Sequence, residues 1–211
     1  MSVIRRLPKY YRYLTELMKK SVNRISSKEL SKKMGFTASQ VRQDLNCFGE
    51  FGQQGYGYCV PNLQGNISDI LGINNDYKAI LIGVGNLGRA IISHIKGHEC
   101  GFSVMMAFDK NEEIIGSKVH DVMVEDIKNI ESICETLKPK VAVLCLPQTE
   151  SPKVVRKLYD FGIKNYLNFS HYDIAVDYPD TIVENVHISD SLRILCYRIT
   201  TDDSANKKTK A

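Results

Sequence analysis

Apolar residues in the first third of the chain recur at intervals of three and four, which is the period of an amphipathic helix. The pattern predicts a first helix over residues 8–21, with a proline in its first turn. Its apolar face consists of Tyr10, Tyr13, Leu14, Leu17 and Met18. Ser26 and Glu29 then have the spacing of a capping box, which predicts a second, shorter helix that ends at Gly35.

A third helix is predicted directly afterwards, because Thr37 and Gln40 repeat the capping spacing. Its buried face consists of Val41, Leu45 and Phe48. The opposite face carries polar side chains that could hydrogen-bond base edges or phosphates in a major groove. These side chains are Ser39, Gln40, Arg42, Gln43 and Asn46. Helix, tight turn and helix is typical of DNA-binding proteins, whereas a solvated polar face is the simpler interpretation of each residue taken alone.

Four glycines alternate with aromatic residues in the segment 49–58 and predict a two-stranded ribbon with a tight turn. Such a ribbon would form a wing, with Gln53 and Gln54 at its tip on the minor groove or the sugar-phosphate backbone. Lys9 and Tyr56 complete the DNA-binding candidates. A further helix over residues 60–71 would complete a winged helix-turn-helix domain over residues 1–73, followed by a short linker.

The basic charge is concentrated in this N-terminal part. Residues 1–58 hold eleven Lys or Arg and four Asp or Glu, a net charge of +7, whereas the whole chain has +4. This asymmetry favours a domain that approaches a phosphate backbone, joined to one that does not. A solvated basic face is the alternative, and the underlying helix-turn-helix pattern weighs against it.

The second half contains a glycine motif in the context that a dinucleotide-binding fold requires. A short apolar run, residues 78–83, leads into the motif, and a helical pattern follows over residues 89–93. The motif is Gly83, Val84, Gly85, Asn86, Leu87 and Gly88. Its glycines allow a tight turn, close approach to a pyrophosphate and close packing of helix on strand.

Asp109 ends the next predicted strand, residues 103–108, and lies twenty-one residues after Gly88. An acidic side chain at this spacing can bind both adenosine ribose hydroxyls, which favours NADH and NAD⁺ over NADP(H). An ordinary turn-forming aspartate is the alternative.

Leu146 and Pro147 close a later strand at the crevice where such sheets bind ligands. Further strands over 141–146, 166–169 and 181–186 alternate with helices around 127–137 and 152–161, predicting a Rossmann-like parallel sheet domain over residues 77–201.

A last helix, residues 189–199, has an apolar stripe that is a candidate subunit contact. The stripe consists of Ile188, Leu192, Leu195 and Ile199. Packing on the domain's own sheet is the alternative, but a groove-reading helix gains affinity when a two-fold axis pairs it, which favours a homodimer. The polar tail, residues 202–211, is expected to be disordered.

Composition excludes several classes of protein. The chain is 43% hydrophobic and 25% charged, and no apolar run reaches the length of about 20 residues that a membrane span needs. A basic start without an apolar segment gives no secretory signal, so the cytoplasm is the expected compartment. The six cysteines form no CxxC pair or Cys/His cluster, so neither a zinc site nor a disulfide framework is expected.

With both halves in view, the chain resembles the Rex family of redox-sensing transcriptional repressors over almost its full length. The segments that carry the resemblance are residues 6–14, 24–27, 40–45, 48–52, 55–58, 83–88, 107–109, 162–163 and 167–169. The resemblance implies a homodimer whose two winged helices bind a palindromic double-stranded operator. It also implies that NADH releases the DNA, that NAD⁺ competes without causing release, and that the C-terminal helix is swapped between subunits.

The sequence departs from the Rex pattern at the positions that the resemblance assigns to the cofactor-dependent switch. The resemblance implies a tyrosine at the position of His94 and an aspartate at that of His187, with Arg12 as the contact between domains and Ile188 next to the switch. Because histidine changes charge near neutral pH, we expect a retuned NADH response that discriminates less from NAD⁺. The alternative is that each is an ordinary surface or packing histidine.

Two other functions fit parts of the pattern. An NAD-dependent oxidoreductase with an appended helix-turn-helix would need a proton-transfer group beside the nicotinamide. No such pairing and no substrate domain is visible, so we expect no catalytic residues and no enzyme activity. A CoA-type ligand sensor would share the nucleotide fold, and Asp109 argues against it.

Overall fold

The computed structural model describes residues 2–49, 51–53, 56–95 and 100–208, with only the backbone described at 52–53 and 203–208. The chain divides into two compact units, with the division between Asp76 and Tyr77. Each unit has its own hydrophobic core.

The N-terminal unit is a winged helix. Its elements are α1 (Val3–Lys19), β1 (Arg24–Ile25), α2 (Ser27–Met34), α3 (Ala38–Asn46), β2 (Gly52–Gln53), β3 (Gly57–Cys59) and α4 (Val60–Leu71). The strands form a small antiparallel sheet in the order β1-β3-β2. A short 3-10 helix, Ile73–Asn75, follows α4.

The helix ends form as the local sequence predicts. Ser26 accepts a hydrogen bond from the Glu29 backbone, and the Glu29 carboxylate accepts one from the Ser26 backbone at 2.8 Å, which completes the capping box of α2. Gly35 ends α2 with φ +70°, in the left-handed conformation that glycine adopts without strain. The Thr37 hydroxyl caps α3 by accepting from the Gln40 backbone at 3.1 Å. The start of α2 and the turn between α2 and α3 are therefore encoded locally.

Three features of this unit differ from the prediction. Helix α1 begins at Val3, so Pro8 lies inside it rather than in its first turn. Proline there removes one backbone hydrogen bond, but Leu7 and Tyr10 on either side are fully buried, and their packing offsets the loss. Phe48 lies beyond the end of α3, although it still packs against the core. Strand β1 was not predicted, because two residues are too few to show a pattern.

The C-terminal unit is an α/β fold around one sheet. Its elements are β4 (Tyr77–Ile82), α5 (Asn86–His94), β5 (Phe102–Asp109), β6 (Lys118–Val119), β7 (Val122–Asp126), α6 (Ile130–Leu137), β8 (Val141–Leu144), α7 (Ser151–Asp160), β9 (Asn165–Asn168), α8 (Ile174–Asp177), β10 (Ile182–Asn185) and α9 (Ile188–Lys208). The strand order is β10-β9-β8-β4-β5-β7-β6. All pairs are parallel except β6 with β7.

Both faces of the central strands of this sheet are buried, as their apolar residues predict. Ile80 and Ile82 belong to one core cluster and Leu81 to another, because successive side chains of a strand point to opposite faces. The predicted Rossmann-like parallel sheet is therefore confirmed. Strand β4 lies at its centre, next to β8 and β5, so the loop after β4 lies where the ligand crevice of such folds is found.

Some C-terminal elements were not predicted or differ in length. The β6–β7 hairpin and the four-residue α8 are too short to give a periodic signal. Helix α9 continues to Lys208, so the part of the expected disordered tail from Asp202 to Lys208 is helical. This stretch contains no Gly or Pro to end the helix. No helix within the described ranges is long and apolar enough to cross a membrane.

Leu14→Ala should destabilise the protein by about 2–5 kcal/mol, because it leaves a cavity in the core of the winged helix. Leu14 is 0% exposed, whereas Met18 on the same helix is 42% exposed. The matched variant Met18→Ala should therefore change the free energy of unfolding by less than about 0.5 kcal/mol. Urea unfolding followed by circular dichroism measures both values, and equal losses would contradict the assigned core.

Candidate DNA-binding surface and nucleotide crevice

The outer face of α3 brings most of the predicted DNA-reading residues together. Ser39, Arg42, Gln43 and Asn46 are exposed. With Cys47 they line a shallow depression of about 510 Å³. Their side chains face away from Val41 and Leu45, which are fully buried in the core. The surface is polar and carries one positive charge. It covers one face of a single α-helix, and a major groove admits an α-helix.

Three of the predicted DNA-binding residues also have partners within the N-terminal unit. The Gln40 amide donates to Asp44 Oδ1 at 2.7 Å. Arg42 Nη1 donates to the Ser27 hydroxyl at 3.1 Å, which connects α3 to α2. Lys9 Nζ donates to the Met34 carbonyl at 2.6 Å, so Lys9 lies at the end of α2 and not beside the α3 surface. These contacts stabilise the motif and set the direction of the side chains.

Asp44 is a buried residue that the sequence analysis did not single out. It lies on the inner face of α3 and is 0% exposed. Its carboxylate accepts from Arg6 Nε at 2.6 Å, Arg6 Nη2 at 2.5 Å, Tyr10 Oη at 3.1 Å and Gln40 Nε2 at 2.7 Å. Burial acts to raise the pKa of Asp44, but the hydrogen bonds from Arg6, Gln40 and Tyr10 outweigh burial and lower that pKa. Asp44 is therefore an anion at neutral pH. A charged residue on an otherwise apolar helix face was the signal available in the sequence.

The wing is anchored to β1 at its base. Tyr56 is 70% exposed, and Arg24 Nη1 donates to its carbonyl at 3.3 Å. The Arg24 guanidinium also lies 6.0 Å from the centre of the Tyr56 ring, a cation–π contact. Gln54 lies outside the described residues, and only the backbone of Gln53 is described. Arg24 is thus a basic residue at the wing that the sequence analysis did not include.

The glycine loop after β4 has two positions that the fold itself reserves for glycine. Gly83 has φ +95°, and a Cβ there would lie 2.5 Å from the Cys145 carbonyl oxygen. A Cβ at Gly88 would lie 2.0 Å from the Gly83 carbonyl oxygen. Both distances are far below van der Waals contact. A side chain at either position would therefore separate α5 or β8 from the loop.

Gly85 is different, because a Cβ there would meet nothing within 4 Å. It lies at the start of α5, and Gly85, Asn86 and Leu87 are exposed whereas Val84 is buried. The first backbone N–H groups of a helix bind anions such as phosphate, and the open space at Gly85 allows a ligand to approach them. The protein's own packing does not require this third glycine, but a bound pyrophosphate would.

Asp109 lies beside the glycine loop, at the end of β5. Its Oδ2 accepts from the Val84 backbone at 2.6 Å, and its Oδ1 accepts from the backbones of Lys110 at 2.8 Å and Asn111 at 3.0 Å. The carboxylate thus shapes the turn as well as lying next to the crevice. A carboxylate has about four lone-pair sites, so capacity remains for a ligand hydroxyl.

The loop after β8 borders the same edge of the sheet. Leu146 packs beside the glycine turn, since its Cδ2 lies 3.2 Å from the Cβ position of Gly83. The Pro147 carbonyl accepts from the Ser151 hydroxyl at 3.0 Å, at the start of α7. An ion pair between Lys110 and Glu150 joins the loops after β5 and β8, on either side of β4. The structure thus brings together cofactor-binding candidates that are separated by more than sixty residues in the sequence.

The predicted switch residues lie in several places. His94 ends α5 and is exposed, with Nδ1 at 2.8 Å from the Ala90 carbonyl oxygen. The His187 ring lies 4.9 Å from that of His171, and its Nδ1 is 3.6 Å from Asp190 Oδ2. Among the described residues, His187 Nε2 is buried without a hydrogen-bond partner. Ile188 is 64% exposed, and Arg12 is exposed on α1 of the N-terminal unit.

The cysteines nearest the sheet are not activated. Burial raises the pKa of Cys145 to about 12 and that of Cys134 to about 11, which keeps both as thiols at neutral pH. No group of three or more metal-ligating side chains occurs in the part of the chain that the structure describes.

Known families match each half of the chain. Residues 1–46 match the family described as "Putative DNA-binding protein N-terminus", and residues 74–172 match the "CoA binding domain". A helix-turn-helix surface joined to a nucleotide-binding fold defines the class of ligand-responsive DNA-binding proteins.

Relatives over the full length identify the family. The redox-sensing transcriptional repressor Rex of Clostridium perfringens (strain SM101 / Type A) is 46% identical, with 96% of this chain and 95% of that protein covered. The repressor of the same name from Clostridium botulinum (strain Hall / ATCC 3502 / NCTC 13319 / Type A) is 51% identical, with 92% of each covered. The chain belongs to the Rex family of redox-sensing transcriptional repressors, which are regulators and not enzymes.

Solved structures agree with this family. The crystal structure of RSP in complex with β-NAD⁺ and operator DNA matches with a TM-score of 0.88 and 46% identity, covering 100% of this chain and 98% of that one. The structure of RSP with β-NADH matches with a TM-score of 0.87 and 44% identity, covering 98% and 97%. RSP is described as a Rex-family repressor.

Gly88→Ser should lower the free energy of unfolding by at least about 1–3 kcal/mol, because its Cβ would collide with backbone. The matched variant Gly85→Ser should have little effect, since its Cβ meets open space and serine is a good residue at a helix start. Thermal unfolding without added nucleotide compares the two. A larger loss in Gly85→Ser would show that the assigned roles of the two glycines are wrong.

Proposed function

We propose that the chain is a transcriptional repressor that binds palindromic double-stranded operator DNA as a homodimer and leaves it when NADH binds. The observation that carries the proposal is the presence of an exposed polar α3 face and an open glycine crevice in one chain of the Rex family. The homologous protein RSP has been crystallised with operator DNA and β-NAD⁺ together. A DNA-binding regulator of this kind acts in the cytoplasm.

The DNA contacts are assigned to α3 and the wing. Arg42, Gln43 and Asn46 would meet base edges, with Ser39 at the start of the helix on the adjacent backbone. Tyr56, Gln53 and Gln54 of the wing would contact the sugar-phosphate backbone, and Lys9 would add positive charge. The net charge of +7 over residues 1–58 supports binding to phosphates.

The nucleotide is assigned to the edge of the sheet around the loop after β4. The pyrophosphate would lie on the amides at the start of α5, with Asp109 on the adenosine ribose and Leu146 and Pro147 beside the rest of the cofactor. The residues that form the phosphate loop are Gly83, Val84, Gly85, Asn86, Leu87 and Gly88. RSP has been crystallised with β-NADH and with β-NAD⁺. The match to a CoA-binding family describes the same fold, and an acidic Asp109 favours an unphosphorylated ribose.

The homodimer is supported by the apolar surface of α9. Ile188, Leu192, Leu195 and Ile199 are each more than half exposed, although water disfavours a row of such side chains on one helix. Burial against a second copy would remove this surface from water, as in a swapped helix. Two winged helices paired by a two-fold axis would then match a palindromic operator.

The switch is assigned to Arg12, His94, His187 and Ile188. His187 immediately precedes α9, so a change in its environment can act on the dimer helix. The two histidines replace the neutral tyrosine and the acidic aspartate that the Rex pattern has. We therefore expect a cofactor response that distinguishes NADH from NAD⁺ less strongly.

Titration of the DNA complex with each cofactor tests the proposed function. A duplex selected by the purified chain from a random pool should be released by NADH at lower concentrations than by NAD⁺, with a modest difference between the two. Gly85→Val should bind the duplex normally but lose the response, because its side chain fills the open space at the phosphate loop. Fluorescence anisotropy of the labelled duplex measures binding. A large preference for NADH would contradict the role of the histidines, and retention of neither cofactor would contradict the proposed function.

Arg42→Ala should weaken operator binding by about 1–3 kcal/mol if Arg42 meets a guanine, and should relax the preference at that base pair. Arg42→Lys keeps the charge but loses the two-pronged contact, so it should restore non-specific binding without restoring the preference. The measurement is the dissociation constant for the selected duplex and for a scrambled duplex. An unchanged ratio of the two constants in Arg42→Ala would remove Arg42 from the base contacts.

A further inference from the structure

The carboxylate of Asp44 has no capacity for a further hydrogen bond. Its Oδ1 accepts from Arg6 Nη2 at 2.5 Å and from Gln40 Nε2 at 2.7 Å. Its Oδ2 accepts from Arg6 Nε at 2.6 Å and from Tyr10 Oη at 3.1 Å. Four donors fill the approximately four lone-pair sites that a carboxylate offers. The Gln40 amide is therefore one of four groups that satisfy a buried anion.

This arrangement fixes which way the Gln40 amide faces. An ionised carboxylate only accepts hydrogen bonds, so the NH₂ group of Gln40, and not its oxygen, must lie against Asp44. A half-turn of the amide would set two acceptors against each other and would leave a buried charged oxygen short of a donor, which is costly. In the described part of the chain, the Gln40 oxygen is neither buried nor hydrogen-bonded.

Gln40 also lies where a groove-reading helix meets the bases. It is the third residue of α3, between the exposed Ser39 and Arg42. The N-terminal residues of such helices contact base edges. Among the described residues, the Gln40 side chain thus keeps one acceptor, its oxygen, and one donor, the N–H that Asp44 does not hold, without a partner.

We propose that Asp44 makes Gln40 a reader of adenine. In the major groove adenine presents one donor, N6, and one acceptor, N7, which complement the outward oxygen and N–H of the locked amide. Guanine presents two acceptors there and would need both N–H groups, one of which Asp44 holds. Arg6 and Tyr10 are positioning residues that act through Asp44. The inference rests on the proposed function, because it requires that α3 enters a major groove.

The test is a base-preference profile of the full-length protein in the presence of NAD⁺. The duplex selected from a random pool is compared with every single base-pair variant of one half-site. Gln40→Ala should lose the preference for adenine at one base pair, by roughly 5- to 150-fold, and keep the profile elsewhere. Asn62→Ala, an exposed change on α4, should leave the whole profile unaltered.

The lock itself is tested by replacing the network with apolar side chains. The triple variant Arg6→Met, Tyr10→Phe and Asp44→Leu removes the buried charge together with its partners, a replacement that proteins often tolerate. The freed amide could then give both N–H groups to guanine, so the ratio of adenine to guanine affinity at that base pair should fall towards one. A network that only stabilises the fold would lower the affinity for all duplexes equally and leave this ratio unchanged.

Each result decides for or against the inference. A folded triple variant that keeps the adenine preference overturns it, as does an unchanged profile in Gln40→Ala. If circular dichroism shows that the triple variant does not fold, the wild-type profile decides at the base pair that Gln40→Ala identifies, and a preference for guanine over adenine there overturns the inference, because the locked amide has one free N–H and guanine needs two. A wild-type chain that binds no selected duplex overturns the proposed function and the inference together, whereas an altered profile in Asn62→Ala overturns only the assignment to Gln40.

Discussion

The DNA-binding unit depends on the four hydrogen bonds that the buried Asp44 carboxylate accepts. It joins α1, through Arg6 and Tyr10, to α3, which also carries Gln40. A charge is costly to bury unless all its lone pairs are satisfied, so the four donors and the carboxylate specify one arrangement of the two helices. The apolar core then holds the helices together. The direction of the α3 outer face follows from this arrangement.

The nucleotide crevice depends on close backbone contact in the C-terminal unit. Gly83 and Gly88 let β4, β8 and α5 approach to distances that a Cβ would prevent. The Asp109 carboxylate accepts from the Val84 amide and so connects the ends of β4 and β5. Because the central strands are buried on both faces, the loops at their C-terminal ends are where backbone amides stay accessible to a ligand. The close backbone contacts that form the fold therefore also form the binding site.

Helix α9 presents an apolar surface that the proposed homodimer would bury. Its apolar residues are exposed, including Leu192 and Leu195 at more than half of their surface. His187, with an unpartnered Nε2 within the described ranges, lies directly before it. A second copy that covers α9 would change the surroundings of both. In the proposed homodimer, the cofactor response would therefore depend on residues that contact the second copy.

Local sequence determined the capped helices α2 and α3, the wing, the glycine loop and the alternation of strands and helices. These depend on interactions between residues close in the chain or on a repeated apolar period, both of which a sequence displays. The tertiary structure alone decided that Pro8 lies inside α1, that Asp44 pairs with Arg6, and that Gly85, unlike Gly83 and Gly88, faces open space. Those outcomes depend on which distant atoms meet. Arg6 and Asp44 are 38 residues apart, and no pattern of spacing encodes the hydrogen bonds that fill a carboxylate.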